Sequence, residues 1–476
     1  MLNDYLKNKY FEYLENEPTG GQRDLFDRFL RFMDRRGEPE ILLVKGYAGT
    51  GKTTAVRALV RILADRGIQS LLLAPTGRAA KVLAGYTGTE AFTIHKKIYR
   101  QRSSKDGFGT FVLGFNKMHD TVFFVDEASM ISNQSFDHAL FGTGHLLDDL
   151  IDYVFQGRNC KLVLIGDTAQ LPPVGTAISE ALDKKQLQKY GYPVTEVFLE
   201  EVIRQAEDSG ILSNATRLRK MIAGGEVRLP LFSTGYYRDV ERVSGRELFE
   251  LLEDHFQGSD REDVTVIVRS NKMANKYNEG IRYQILHREE EISRDDLVMV
   301  VKNNYYWLSG GEEADFLANG DILRIERIHG TEERYGYRFA DVTFSITGAE
   351  EGSPPEAKVL LDTLRLDTPS LTADQNKDLF YKILEDYREE GKISQKKAYE
   401  RVKADPYFNA LQIKFAYAIT CHKAQGGQWK TVFLDQGYIP KEQMNIEYLR
   451  WLYTAFTRAS AKLYLVNFPE PFFGAG

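Results

Sequence analysis

The chain has 476 residues, of which 43% are hydrophobic and 27% charged, with a formal net charge of −6 and a pI near 5.9. This composition is that of an ordinary globular protein, and the length exceeds what one hydrophobic core usually holds, so two to four domains are expected. The net negative charge argues against a protein that coats nucleic acid by bulk charge, although a local basic channel stays allowed.

The compartment is indicated by cysteine usage and by the N-terminal sequence. Two cysteines, Cys160 and Cys421, are too few for a disulfide framework, which favours a reducing compartment. No apolar run of the sequence approaches the roughly 20 residues that cross a membrane. Residues 1–18 are acidic and contain no apolar signal core. A cytoplasmic protein with no membrane partner is therefore expected.

Short apolar runs alternate with helix-like stretches along the first half of the chain. The runs are EILLVKG, SLLLAP, TVFFVDE and KLVLIGD, and each ends at glycine, proline or an acidic residue. This alternation predicts a parallel sheet covered on both faces, with functional groups at the carboxyl ends of its strands. Further runs, DVTVIVRS, KTVFLD and AKLYLVN, predict a second α/β domain and a cleft between the two.

The segment GYAGTGKTT follows the first run and begins a predicted helix. Its glycine, lysine and threonine spacing matches the phosphate-binding loop in full. Backbone N–H groups and the helix N-terminus of such a loop bind phosphates; Lys52 would reach the β- and γ-phosphates and Thr53 would ligate Mg²⁺. A chance glycine-rich turn is the alternative, and the strand before it and the helix after it argue against that. The predicted nucleotide-binding residues are Gly46, Gly49, Gly51, Lys52, Thr53 and Thr54.

TVFFVDEAS places two carboxylates directly after an apolar run. Asp126 would hold Mg²⁺, and Glu127 would orient or deprotonate the attacking water. Such a pair is often only a solvated strand end, but downstream of a phosphate-binding loop the hydrolytic interpretation is favoured. The sequence therefore predicts hydrolysis of a nucleoside triphosphate.

Three further stretches place polar residues at predicted strand ends. APTGRAAK contains Thr76, which could bond a backbone phosphate, and FTIHKKIYR contains Thr93 and His95. GDTAQLPPVG places Gln170 after another strand, where a glutamine can sense a γ-phosphate or position water. Taken singly, each stretch is explained as polar residues at a strand end, but their order along the chain is informative.

The ordered motifs from about Gln22 to Asn467 resemble those of superfamily 1B helicases. They are the phosphate-binding loop, APTGRAAK, TIH, VDEASM, GDTAQLPPV, EEVIRQ, CHKAQGGQ and YTAFTRA. The set looks like that of the RecD-like, Pif-like and phage Dda-like DNA helicases; it is specific as an ensemble, whereas only the phosphate-binding loop is specific alone. The resemblance implies two RecA-like domains, ATP and Mg²⁺ between them, and a single strand across their top.

The resemblance also implies contacts to the nucleotide. Gln22 matches the glutamine that reads adenine, which favours ATP, and Gln170 would couple the γ-phosphate to DNA. Arg204 in EEVIRQ and Arg458 in YTAFTRA would reach the γ-phosphate across the cleft, a contact worth on the order of 10³–10⁵ in rate. A surface arginine in an ion pair is the alternative for Arg458. The residues of the second domain that would face the nucleotide are Gln425 and Gly426.

The segment YAITCHKAQGGQW stands at the exit of a predicted strand and matches a motif that touches both substrates. Thr420 and His422 would contact DNA phosphate or sugar, and Lys423 could serve either side. A catalytic His-Lys pair of a hydrolase is the alternative, but the sequence offers no nucleophile arranged with it. Asn271, after the run DVTVIVRS, is a further candidate phosphate contact. The predicted DNA-binding residues are Thr76, Thr93, His95, Phe108, Asn271, Thr420, His422 and Lys423.

Two insertions are predicted. Residues 97–120 contain KDGFG, a turn signal between extended runs, which predicts a β-hairpin. The family has a wedge hairpin here that splits the duplex, with Phe108 as the candidate tip; an ordinary surface hairpin is the alternative. In residues 330–409 the family carries an SH3-like barrel, to which Dda-like members add a helical tower. A plain solvated face is the alternative for the charged helices.

The predicted fold is an α/β chain of two RecA-like domains with these two insertions. The first domain spans residues 1–205, the second residues 206–329 and 410–476, and the barrel with its helical extension residues 330–409. The predicted function is that of a monomeric ATP-dependent DNA helicase that translocates on single-stranded DNA and unwinds forked duplex, with 5′-to-3′ polarity implied by the resemblance alone. An RNA helicase and a DNA-stimulated ATPase or switch that does not unwind are the alternatives.

Overall fold

The computed structural model describes residues 2–35, 37–102, 110–133, 142–202, 209–258, 261–304, 306–308, 317–347, 354–389, 394–440 and 443–473. Two predicted site residues, Phe108 and Arg204, lie outside these ranges. In the described part of the chain, no helix has both the length and the apolar character needed to span a bilayer.

Strands and helices alternate through the chain as the apolar runs predict. The strands are β1 (Ile41–Gly46), β2 (Gln69–Ala74), β3 (Ala91–Thr93), β4 (Tyr99–Arg102), β5 (Thr110–Leu113), β6 (Thr121–Val125), β7 (Lys161–Gly166), β8 (Val194–Leu199), β9 (Val240–Val243), β10 (Val264–Val268), β11 (Leu297–Val300), β12 (Ile322–Arg334), β13 (Tyr337–Ile346), β14 (Glu356–Leu360), β15 (Leu411–Phe415), β16 (Ala418–Thr420), β17 (Trp429–Asp435) and β18 (Ala459–Val466). The α-helices are α1 (Leu2–Leu14), α2 (Gly20–Asp34), α3 (Lys52–Asp65), α4 (Gly77–Thr87), α5 (Ile94–Ile98), α6 (Leu146–Gln156), α7 (Lys184–Gln188), α8 (Gly210–Gly224), α9 (Gly245–Gln257), α10 (Asn271–Gly280), α11 (Ala373–Glu389), α12 (Gln395–Lys403), α13 (Cys421–Ala424) and α14 (Ile446–Phe456).

The first sheet is parallel and has the strand order β3-β2-β6-β7-β1-β8. Alternate residues of β1 enter two different cores: Leu42 and Val44 pack against α1, α2 and α3, whereas Ile41 and Leu43 pack on the side of α5, α6 and α7. Because both faces are covered, the strand is apolar at every one of these positions. The carboxyl ends of β1, β6 and β7 therefore meet at one edge of the sheet, where the predicted nucleotide residues begin.

The second sheet is also parallel, with the order β16-β10-β17-β18-β9. Residues of its strands form one large core with residues of α8, α9, α10 and α14. The predicted fold class, two parallel sheets each flanked by helices, is confirmed.

A closed barrel of β11, β12, β13, β14 and β15 lies in the chain of the second domain. Its strands extend from Leu297 to Phe415, so the barrel begins before and ends after the predicted range of residues 330–409. Helices α11 and α12 pack on it through an apolar cluster that includes Phe339, Phe380 and Val402. The helical extension thus has one buried face and is not solvated all round.

The stretch LQIKFAYAIT, which leads into the segment CHKAQGGQ, forms two strands. The first, β15, belongs to the barrel and the second, β16, to the second sheet. Tyr417, between them, donates a hydrogen bond of 2.9 Å to the carboxylate of Asp296. That carboxylate is fully buried and also pairs with Arg282 at 3.0 Å and Arg288 at 2.6 Å. A buried ionic network therefore fixes the point where the barrel joins the sheet.

The predicted hairpin is present between α5 and β6. Strands β4 and β5 pair antiparallel in the register Tyr99↔Leu113 to Arg102↔Thr110. The hairpin is thus confirmed as a β-hairpin, while its role as a wedge stays a prediction and its tip falls outside the described residues.

Candidate nucleotide and DNA site

The loop between β1 and α3 has the backbone of a phosphate-binding loop. Gly49 and Gly51 both have φ of 76°, a left-handed conformation that glycine adopts without strain. A Cβ at Gly46 would lie 3.0 Å from side-chain atoms of Lys52 and Thr50, which leaves little room for any other residue. Helix α3 begins at Lys52 directly after these turns. Backbone N–H groups and a helix N-terminus are thus available to phosphates.

The charged groups predicted for hydrolysis lie together at this sheet edge. The Lys52 ammonium donates a hydrogen bond of 2.8 Å to the carbonyl of Tyr47. Burial and the neighbouring Glu127 carboxylate raise the pKa of Asp126, while Lys52 lowers it. Two adjacent carboxylates fit a divalent cation, which offsets their mutual repulsion. Asp126, with Thr53 in the first turn of α3, would hold Mg²⁺ together with phosphate oxygens.

Gln170 is 5% exposed, and its side-chain oxygen has no hydrogen-bond partner in the described structure. Its neighbour Leu171 is held from the second domain on both sides. The Leu171 N–H donates to the hydroxyl of Thr454 at 2.9 Å, and the Leu171 carbonyl accepts from the amide of Gln425 at 2.8 Å. A buried amide oxygen without a donor costs roughly 1–3 kcal/mol, so Gln170 suits a ligand that donates, such as an attacking water.

Tyr453 and Asp167 form a contact that the sequence analysis did not assign. The hydroxyl of Tyr453, on α14, donates to the carboxylate of Asp167 at 2.5 Å and accepts from the N–H of Ala48 at 2.8 Å. The phosphate-binding loop is therefore bonded directly to a helix of the second domain. The available signals were the acid that ends the run KLVLIGD and the tyrosine of YTAFTRA.

The predicted cross-cleft arginine Arg458 is buried within its own domain. Its guanidinium donates to the carbonyls of Thr454 at 3.0 Å and Gly427 at 3.2 Å and to the hydroxyl of Thr457 at 3.2 Å. The alternative of a surface ion pair does not hold, since the residue is 6% exposed. To contact a γ-phosphate, the Arg458 guanidinium must give up these hydrogen bonds and bond the phosphate oxygens instead.

Gln22 lies beside the phosphate-binding loop with both ends of its amide engaged. Its oxygen accepts from the N–H of Thr19 at 3.1 Å, as part of the capping box of α2, and its nitrogen donates to the carbonyl of Gly51 at 3.5 Å. Recognition of adenine, as the resemblance implies, requires the amide to leave these partners.

The two domains also meet where α4 approaches the residues after α13. The Arg78 guanidinium lies 3.9 Å from the centre of the Trp429 ring. A Cβ at Gly426 would come within 2.9 Å of Ala79 and 3.4 Å of the Thr76 hydroxyl, and its φ is 72°. The structure therefore places Gly426 against α4, where it permits close packing of the domains.

The candidate DNA residues of the first domain have structural partners. The hydroxyls of Thr76 and Thr93 accept from the N–H groups of Ala79 at 3.2 Å and Lys96 at 3.1 Å, so they cap α4 and α5. Such caps contribute about 1 kcal/mol. Burial lowers the pKa of His95 to about 4, so this imidazole is neutral at pH 7 and can meet a phosphate only through a hydrogen bond.

Three candidate DNA residues of the second domain, Asn271, Thr420 and Lys423, line one small cavity together with Lys414. Burial and the charge of Lys414 lower the pKa of Lys423 to about 8, and burial lowers that of Lys414 to about 8. The amide of Asn271 is engaged, because it donates to the carbonyl of Asp367 at 3.0 Å. Two ammonium groups at one place, that of Lys414 buried and that of Lys423 partly buried, favour an anionic ligand such as a backbone phosphate.

His422 lies beside this cavity in the same turn, α13, as Lys423. Burial lowers its pKa, while Glu447 acts in the opposite direction. Thr420 precedes it with extended backbone at the start of α13. The segment from Thr420 to Gln425 thus reaches both the candidate DNA cavity and Leu171.

Two family models match separate parts of the chain. Residues 19–229 match an AAA domain, and residues 415–466 match a UvrD-like helicase C-terminal domain. The first match contains the phosphate-binding loop, Asp126 and Gln170, and the second contains the Gln425 segment and Arg458.

Relatives match across most of the chain at low identity. The ATP-dependent RecD2 DNA helicase of Deinococcus radiodurans is 22% identical over 466 residues, covering 94% of this chain and 50% of that protein. The ATP-dependent DNA helicase dda of Enterobacteria phage T4 is 24% identical over 386 residues, covering 72% of this chain and 77% of that protein. The chain thus spans about half the length of the RecD2 relative.

A solved structure of a Pif1 helicase from Bacteroides, in complex with ADP-AlF3 and ssDNA, has 14% identity and a TM-score of 0.47, covering 97% of this chain and 95% of that chain. The motif order, the assembled nucleotide edge and the two family matches agree on one classification. The two family matches and the relatives RecD2 and Dda support a classification of the chain with the superfamily 1B helicases.

Proposed function

We propose that the chain is an ATP-driven motor that moves 5′ to 3′ along single-stranded DNA and unwinds forked duplex. Two relatives are named DNA helicases, which supports the substrate, and the polarity rests on the family resemblance. The observation that carries the proposal is the pair of hydrogen bonds at the backbone of Leu171, whose carbonyl accepts from Gln425 and whose N–H donates to Thr454.

These bonds connect the candidate nucleotide site to the candidate DNA cavity. Gln170 stands next to Leu171 on one side, and the chain from Gln425 back to Thr420 leads to the DNA cavity on the other. When Gln170 engages the γ-phosphate or the attacking water, a shift of Leu171 pulls on Gln425. The grip of Thr420 and Lys423 on the strand then changes with the state of the nucleotide.

The hydrolytic step uses groups of the first domain. ATP with Mg²⁺ supplies the reacting phosphoanhydride, which Lys52 and the loop N–H groups orient. Glu127 accepts the proton of the attacking water, and Gln170 aligns that water through its free side-chain oxygen. Closure of the second domain completes the site, so each hydrolysis event is coupled to one opening and closing of the cleft.

The β4–β5 hairpin is the proposed wedge. DNA stacking amounts to about 1.4 kcal/mol per base-pair step, so a motor must prevent separated bases from pairing again. The hairpin follows α5 and therefore stands beside Thr93 and His95, two of the candidate DNA residues. The closed barrel would hold the strand on the opposite domain.

The test is strand separation of fluorescent forks that carry a 5′ tail, a 3′ tail or no tail, with Lys52→Ala as the inactive control. We expect unwinding only from the 5′ tail and only with ATP. Unwinding from the 3′ tail alone would contradict the polarity. DNA-stimulated hydrolysis without unwinding would indicate a translocase or switch, and preference for an RNA loading strand would indicate the RNA helicase.

A further inference from the structure

Helix α8 of the second domain presents an arginine to the phosphate-binding loop. The guanidinium carbon of Arg219 lies 4.5 Å from the centre of the Tyr47 ring. One of its terminal nitrogens donates to the carbonyl of Glu200 at 3.2 Å. The other, Nη1, is buried and has no acceptor among the described residues.

Tyr47 is part of the loop that would bind phosphates. Its carbonyl accepts hydrogen bonds from the Lys52 ammonium and from the hydroxyl of Thr50, each at 2.8 Å. The ring beneath Arg219 therefore belongs to the residue that holds the catalytic lysine. Arg219 therefore stacks on a residue of the same loop.

Arg219 forms no ion pair with a carboxylate in the part of the chain that the structure describes. A guanidinium offers five donors in a planar fork, and removing its donors from water without an acceptor is unfavourable. The ring of Tyr47 and the carbonyl of Glu200 orient the guanidinium of Arg219, but neither accepts a hydrogen bond from Nη1. This is the geometry of a cation suited to an oxyanion.

Arg219 is attached to the second domain and moves with it. Its neighbours on α8, Ala215, Leu218 and Met221, are buried in the core of that domain. Tyr47 and Lys52 belong to the first domain. Any change in the cleft therefore moves Arg219 relative to the phosphates, as domain-coupled hydrolysis requires.

We propose that Arg219 binds the terminal phosphate of a nucleoside triphosphate in the phosphate-binding loop, as a cross-domain arginine in addition to Arg204 and Arg458. The proposal rests on the ATP-dependent function above. Arg219 is already at the loop, whereas Arg458 bonds within its own domain, so Arg219 distinguishes triphosphate from diphosphate before the cleft closes fully.

The experiment compares the dissociation constants of a non-hydrolysable ATP analogue and of ADP for the wild type, Arg219→Gln and Lys220→Gln. Lys220 is exposed on the same helix and serves as the matched control. For Arg219→Gln we expect affinity for the triphosphate to fall about tenfold or more, the scale of one charge-assisted hydrogen bond, and affinity for ADP to change less than about threefold. Lys220→Gln should match the wild type.

Equal losses for both nucleotides, or no loss, would overturn the proposal, because an arginine that merely shapes the loop does not discriminate the terminal phosphate. A wild type that binds neither nucleotide would instead overturn the proposed function. Thermal unfolding checks that Arg219→Gln folds. If it does not, Tyr47→Leu, which removes the ring that orients the guanidinium, should give the same selective loss, and an unselective result there would also contradict the proposal.

Discussion

The side chain of Gln425, in the second domain, donates a hydrogen bond of 2.8 Å to the backbone carbonyl of Leu171, in the first. Both residues are buried, so the bond is shielded from water. The Leu171 N–H is held in turn by Thr454. One peptide segment beside Gln170 is thus fixed by two motifs of the opposite domain, which connects the candidate nucleotide site physically with the candidate DNA site.

Removal of the Gln425 amide should weaken the stimulation of ATP hydrolysis by DNA. In Gln425→Ala the Leu171 carbonyl loses its donor, and one such bond contributes about 1 kcal/mol. We expect the ratio of DNA-stimulated to basal ATPase rates to fall about fivefold, measured with saturating single-stranded DNA. Gln428→Ala, whose side chain is exposed three positions on, is the control. An unchanged ratio in Gln425→Ala would contradict the proposed connection.

Loss of the Tyr453 hydroxyl should destabilise the protein. In Tyr453→Phe the buried carboxylate of Asp167 and the N–H of Ala48 both lose a partner, at about 1–3 kcal/mol. We expect this loss in the free energy of unfolding, measured with urea at pH 7.5. The control Tyr438→Phe, at a residue that is 89% exposed, should leave that free energy unchanged. Burial and Asp167 raise the pKa of Tyr453, so the stabilisation is complete below pH 10 and declines as pH rises further. Equal stability of the two variants would be the contrary result.

The elements that could be predicted from sequence are those fixed by local pattern. The run EILLVKG and the glycines after it determine a buried strand, two left-handed turns and a helix start, because periodicity and backbone freedom act over a few residues. The same reasoning placed Lys52, Asp126 and Gln170 at one edge, since the carboxyl ends of parallel strands meet there. These parts needed no knowledge of distant contacts.

The parts that could not be predicted depend on pairing across long separations. Tyr453 and Asp167 are 286 residues apart, and nothing local to either residue specifies the other. The barrel is closed by β11 and β15, which read as ordinary apolar strands until their partners are known. Thr76 and Thr93 differ from these, because each caps the helix that begins at the next residue, a local role that the sequence pattern could have indicated.

The buried network at Asp296 should be the largest single contribution to the junction between barrel and sheet. Asp296→Ala leaves Arg282 and Arg288 without their carboxylate, and an unpaired buried charge costs about 3–5 kcal/mol. We expect a loss of that size in the free energy of unfolding, measured by denaturant titration. Asp374→Ala, on the exposed face of α11, is the control. A loss below about 1 kcal/mol for Asp296→Ala would show that the arginines find other partners.

Binding of single-stranded DNA should depend on pH through Lys423. Because burial and Lys414 lower its pKa to about 8, Lys423 is charged at pH 7 and largely neutral at pH 9 unless a phosphate restores the charge. Affinity should therefore fall from pH 7 to pH 9 in the wild type and fall less in Lys423→Arg, whose guanidinium stays charged.

Lys423→Ala should also lower the slope of log affinity against log salt by about 0.7, the value for one lost phosphate contact. Lys272→Ala, exposed on α10, controls for the general effect of removing a positive charge. If Lys423→Ala and Lys272→Ala change the slope equally, the cavity that holds Lys414 and Lys423 does not bind the strand, and the DNA path must be sought elsewhere on the second domain.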